Sequence, residues 1–126
     1  MAAILVVEDE PLLNLDISDA LCAKGYDVIA VINSDDAIRA LEFRHDIHTI
    51  LTDIDLPGSM DGLKLAAAVR DRWPPVNIIV TTGMKAPHRD EMPTRSLFIA
   101  KPYRNAEVLA AVRSFDNPNE MSAKSH

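Results

Sequence analysis

"ILTDIDLPGSMDG", residues 50–62, carries an apolar run into an acid, Asp53, and follows it with a loop marked by Pro57, Gly58 and Gly62. A short run of apolar and β-branched residues bounded by turn formers reads as a strand covered on both faces. An acid at the tip of such a strand needs a reason, because charged side chains are seldom buried without partners. Two more acids follow. Asp61 reads as the capping acid of a helix that begins in the "SMDG" turn, and the Asp55 side chain as solvent-facing.

Working outward, four more runs share the strand pattern: "AILVV" from Ala3, "DVIAVI" from Asp27, "NIIVT" from Asn77 and "LFIA" from Leu97, with "HTILT" from His48 as the third of the five. All five are expected to be buried. Amphipathic stretches lie between them. Leu13, Ile17, Ala20 and Leu21 share one helical face, with Cys22 expected as a small core residue beside them. Ala37, Ala40 and Leu41 mark a second helix, Leu65, Ala68 and Val69 a third, and Val108, Ala111, Val112 and Phe115 the last. Strand and helix in alternation predict a doubly wound α/β domain, a five-stranded parallel sheet with helices on both faces. The stretch 84–96, "MKAPHRDEMPTRS", has no apolar stripe and is interrupted by Pro87 and Pro93, so the fourth helix should be short or irregular. One domain is expected over 1–115, with 116–126, "DNPNEMSAKSH", a polar, disordered tail.

The chain has 126 residues, 48% of them hydrophobic, which suits one ordinary globular core. Nineteen acids against thirteen bases give a net charge of -6 and offer no basic footprint for phosphates, so direct nucleic-acid binding is not expected. The single cysteine excludes an internal disulfide, and "AILVV" runs at once into "EDE" rather than a cleavage site. No membrane span is read, and the cytoplasm is the expected compartment.

In open α/β sheets, ligands sit beyond the carboxyl ends of the strands. Strand one ends in Glu8 and Asp9, strand three in Asp53, strand four in Thr81 and Thr82, and strand five runs into Lys101 and Pro102. Three carboxylates converging on one edge repel one another unless a cation intervenes. Oxygen ligands select a hard divalent ion, and few carboxylates plus water suit Mg²⁺ better than Ca²⁺. Lys101 and the Thr82 hydroxyl opposite such an ion make a pocket for a phosphoryl group.

The pieces "VVEDEP", "TDIDLPGSMDG", "IIVTTG" and "FIAKPY", in that order, resemble the receiver domain of two-component response regulators from about Ile4 to Phe115. The resemblance implies a flavodoxin-like strand order, 2-1-3-4-5. It makes Asp53 the phosphoacceptor, Asp9 the direct metal ligand, Glu8 the acid that holds metal-bound water, and the Asp55 backbone carbonyl the remaining protein ligand. Thr82 and Lys101 match the hydroxyl and lysine that touch the phosphoryl group, and Phe98 the aromatic switch. Lys101–Pro102 matches a cis peptide. The implied donor is a sensor histidine kinase or a histidine phosphotransfer protein. The implied output is a downstream protein bound at the face of fourth helix, strand five and fifth helix, which is also a candidate homodimer face. No effector domain fits within the chain, so a stand-alone receiver is expected. "PGSMDG" is one residue longer than the commonest form of this loop.

Each residue taken singly has a plainer reading. Glu8 and Asp9 suit a helix N-terminus, Asp53 a turn, Lys101 the surface and Phe98 the core. His45 and His48 read as a solvated loop rather than a ligand pair. The joint placement at strand ends favours a site. Within the receiver reading, a phosphate sink or relay without its own output is the alternative. In a different class, "DIDLP" resembles the nucleophile motif of haloacid-dehalogenase-type phosphatases, with Asp53 attacking and Asp55 as acid. That motif belongs on a first strand, and Pro57 stands where Thr or Val is expected. An FMN binder needs phosphate-binding N–H groups after strand one, where this chain has "EDE". A pseudo-receiver acting only as scaffold does not need the full acid, hydroxyl and lysine set.

Overall fold

The computed structural model describes residues 2–58 and 60–116. The strands are β1 (Ala3–Val7), β2 (Asp27–Val31), β3 (Ile47–Asp53), β4 (Asn77–Thr82) and β5 (Ser96–Ala100), and the helices are α1 (Pro11–Ala23), α2 (Ser34–Phe43), α3 (Gly62–Arg72) and α4 (Asn105–Asp116). All strand pairs are parallel and the order is β2-β1-β3-β4-β5. Alternate side chains of the sheet feed two cores. Leu5, Val7, Ile50, Ile78 and Val80 pack with Ala37 and Leu41 of α2 and Leu65, Ala66 and Val69 of α3. Ile4, Val6, Leu51 and Ile79 pack on the other face with Ile17 and Leu21 of α1 and Val108 and Val112 of α4. The period of two within the strands therefore supplies both layers.

Local chemistry sets the helix starts. Pro11 opens α1, where its missing N–H removes no helical bond. Asn33 caps α2 by accepting from the Asp36 N–H at 2.8 Å, and Asp61 caps α3 by accepting from the Lys64 N–H at 2.9 Å. Between β4 and β5 the chain makes a single 3-10 turn, Arg89–Glu91, in place of a crossover helix, so the C-terminal helix is the fourth. Arg70 of α3 ties this irregular crossover down. Its guanidinium donates to the carbonyls of Thr94 at 2.9 Å and Arg95 at 3.2 Å, and to Pro74 at 2.6 Å and Val76 at 2.9 Å.

Four expectations are corrected. β2 and β5 are only partly buried, because each is a sheet edge with one paired neighbour. The buried face of α1 is turned toward Asn14 and Ser18, which join Ile17 and Leu21 under the sheet. Cys22 is consequently exposed, since at 100° per residue it lies about a quarter-turn off that face. His48 lies in β3, as the "HTILT" run implied and the loop reading of His45 and His48 did not, and its ring meets Tyr26 edge-on at 6.4 Å between centroids. Of the expected tail, 116–126, Asp116 instead closes α4, and 117–126 lie outside the described residues, as does Ser59 of the longer "PGSMDG" loop.

Candidate functional site

Glu8, Asp53, Thr82 and Lys101 arrive at one edge of the sheet because β1, β3, β4 and β5 are parallel and in register. Val7 pairs with Thr52, Asp53 with Thr81, and Thr82 with Ala100. Glu8 and Asp53 are buried, and Asp9 is exposed at the rim. One carboxylate oxygen from each of Glu8, Asp9 and Asp53 lies within 4.8 Å of the others. The Lys101 ammonium donates to Glu8 Oε1 at 2.6 Å and to Asp53 Oδ2 at 2.9 Å. The peptide bond that follows it, Lys101–Pro102, is cis.

Backbone and side-chain hydrogen bonds fix these groups from behind. The Glu10 N–H donates to Glu8 Oε2 at 3.1 Å, and the Asp55 N–H to Asp53 Oδ1 at 3.1 Å. Asn14 Nδ2 donates to the Glu8 carbonyl and to the Val31 carbonyl, each at 3.0 Å, and Asn14 Oδ1 accepts from the Ser18 hydroxyl at 3.1 Å. α1 thus clamps the strand end that carries Glu8. Gly62 lets α3 start directly against the Asp53 end of β3. A Cβ there would fall 1.9 Å from the Asp53 carbonyl oxygen.

The electrostatics follow from burial. Burial raises the Glu8 carboxyl above its ordinary value, against the opposing pull of the Lys101 hydrogen bond. Burial alone would lower the Lys101 ammonium, but its bonds to Glu8 and Asp53 carry it well above the usual lysine range. Three carboxylates share one ammonium in an all-oxygen cluster. That donor set fits a hard divalent cation. The remaining polar contact is between Thr82 and Asp55. The Thr82 hydroxyl donates to Asp55 Oδ2 at 2.7 Å and accepts from the Met84 N–H at 3.0 Å. Phe98 lies half-buried on β5 in a groove with Met92, Pro93, Arg89 and Arg95.

The structure gathers Glu8, Asp9, Asp53 and Lys101 into one cluster and ties Thr82 to Asp55, while Phe98 lies apart in its groove on β5. Sequence reasoning missed Asn14 and the Asp55–Thr82 contact. A polar residue at Asn14, four before Ser18 on the face that otherwise reads as apolar, was the available signal for the first. Nothing in the spacing signals the second, because the partners lie 27 residues apart.

A parallel sheet in this order, with acids and a lysine gathered at one edge, defines a class of α/β signalling domain, and the chain belongs to the response regulator receiver domain family, which it matches over residues 4–113. Receiver domains of this family are modules of two-component systems. Response regulator protein FleR of Pseudomonas aeruginosa is 29% identical over 114 residues, covering 88% of this chain and 24% of FleR. The chain thus spans about a quarter of that curated relative. Among solved structures, the response regulator receiver protein of Sinorhizobium medicae WSM419 superposes with a TM-score of 0.84 at 29% identity, covering 90% of this chain and 93% of that one. TrrA of Thermotoga maritima, solved in complex with Mg(2+)-BeF, gives 0.79 at 24% identity, covering 91% and 99%. Among the described residues, no helix is long and apolar enough to cross a membrane.

Proposed function

We propose that Asp53 accepts a phosphoryl group from a phosphohistidine of a sensor kinase or phosphotransfer protein, and that the product signals by binding a downstream protein. The observation that carries this reading is the Lys101 ammonium, held 2.9 Å from the Asp53 carboxylate within a cluster of three acids. In the transfer, an Asp53 carboxylate oxygen forms the new O–P bond while the N–P bond breaks, and the imidazole leaves with the electron pair. Lys101 lies ready to meet the arriving phosphoryl oxygens, and the Asp55 N–H holds the carboxylate from its other oxygen. Glu8, Asp9, Asp53 and the Asp55 backbone carbonyl would hold Mg²⁺, which when bound neutralises charge on the transferred oxygens. Thr82 is the second donor for the phosphoryl group. Its movement inward would vacate space beside β5, into which Phe98 turns, altering the face made by the 3-10 turn, β5 and α4.

Mg²⁺ binding tests the centre apart from any donor. Asp9→Ala should weaken Mg²⁺ binding at least about tenfold, because it removes an anionic oxygen from the cluster. Asp61→Ala, which alters only a helix cap, should bind as the parent does. Equal affinity in parent and Asp9→Ala, followed by calorimetric titration, would place the cation elsewhere and count against the assignment.

A further inference from the structure

We infer that the Asp55 side chain is a gate on the switch, holding Thr82 away from the phosphoryl position until the new anion competes for its proton; this rests on the reading of Asp53 as phosphoacceptor. The Thr82 hydroxyl has one proton to donate. That proton is given to Asp55 Oδ2 at 2.7 Å, and the hydroxyl oxygen is held from behind by the Met84 N–H at 3.0 Å. The hydroxyl is buried and the Asp55 carboxylate is exposed, so the contact is made at the mouth of the site. A hydroxyl donating to a carboxylate makes a bond of the stronger, charge-assisted kind.

Donation to Asp55 and donation to a phosphoryl group on Asp53 exclude each other. The same residue reaches both ends of the switch, since its backbone N–H donates to Asp53 Oδ1 at 3.1 Å while its side chain holds Thr82. Release is inexpensive on the Asp55 side, because an exposed carboxylate is rehydrated when it loses its donor. Asp55 therefore sets how strongly an anion must pull before Thr82 moves. It acts as a positioning residue for the hydroxyl and raises the threshold for the active state.

Removing the carboxylate also removes a negative charge near an anion site, and two variants separate these effects. Asp55→Asn deletes the charge but keeps an acceptor oxygen for Thr82, whereas Asp55→Ala deletes both. The probe is beryllofluoride with Mg²⁺, read by NMR as an apparent affinity and, before the probe is added, as the Thr82 side-chain rotamer from three-bond couplings. The gate predicts that Asp55→Ala tightens beryllofluoride binding by about 3–10-fold, the scale of losing one partly exposed, charge-assisted competitor. Asp55→Asn should fall between it and the parent. Thr82 should be fixed in one rotamer in the parent and averaged in Asp55→Ala. Equal affinities in Asn and Ala variants would mean charge alone acts and would overturn the gate. So would an unchanged Thr82 rotamer in Asp55→Ala. A parent that binds no beryllofluoride overturns the phosphoacceptor reading and the gate with it, whereas binding that is identical in parent and Asp55→Ala overturns the gate alone.

Discussion

Lys101 shows how one side chain decides the character of the site. Its ammonium bridges Glu8 and Asp53, two buried carboxylates that would otherwise face each other uncompensated. Lys101→Ala should leave Mg²⁺ bound at least as well as in the parent, since a competing cation is gone. Phosphorylation from a small donor, followed by intact mass against time, should slow at least about tenfold, because one preorganised charge on the transferred oxygens is lost. Parent-like kinetics in this variant would remove Lys101 from the reaction. At this scale the sequence was informative where residue type and strand end coincide, as for Asp53 and Lys101. It was silent on pairings such as Thr82 with Asp55, which depend on how a loop turns after the strand.

Among the elements, α1 and α3 hold the site from opposite sides. The polar residue Asn14 occupies a core position and satisfies two carbonyls, those of Glu8 and Val31. Asn14→Ala leaves both without that donor and should cost about 1–3 kcal/mol in chemical denaturation. Gly62→Ala should cost as much or more, at least about 1–3 kcal/mol, because the added methyl meets the Asp53 backbone rather than a yielding side chain. If Gly62→Ala unfolds at the parent's midpoint, the close approach of α3 to the Asp53 strand end is wrong. Element positions were legible from periodicity alone, to within a residue or two in the strands. The rotation of α1 was not, since Asn14 and Ser18 are polar and a hydrophobic pattern discards them. The irregular crossover was legible from Pro87 and Pro93, but not the way Arg70 anchors it through the carbonyls of Thr94 and Arg95.

For the whole molecule, parallel strands fed by two cores bring four chain segments, with their acids, hydroxyl and lysine, to one edge. The alternation of strand and helix predicted this architecture, while the order of strands came from the resemblance and not from the pattern. The exposure of β2 and β5 follows from that order, as edges are fixed by topology rather than composition. The central claim is that this edge makes Asp53 a phosphoacceptor. The most direct measurement is to incubate the chain with Mg²⁺ and a phosphoryl donor, trap any acyl phosphate by borohydride reduction, and map the modified residue by mass spectrometry. The account predicts one acid-stable, base-labile phosphate per chain, located at Asp53 and absent from Asp53→Asn. Phosphate on another residue, or undiminished labelling of Asp53→Asn, would contradict it.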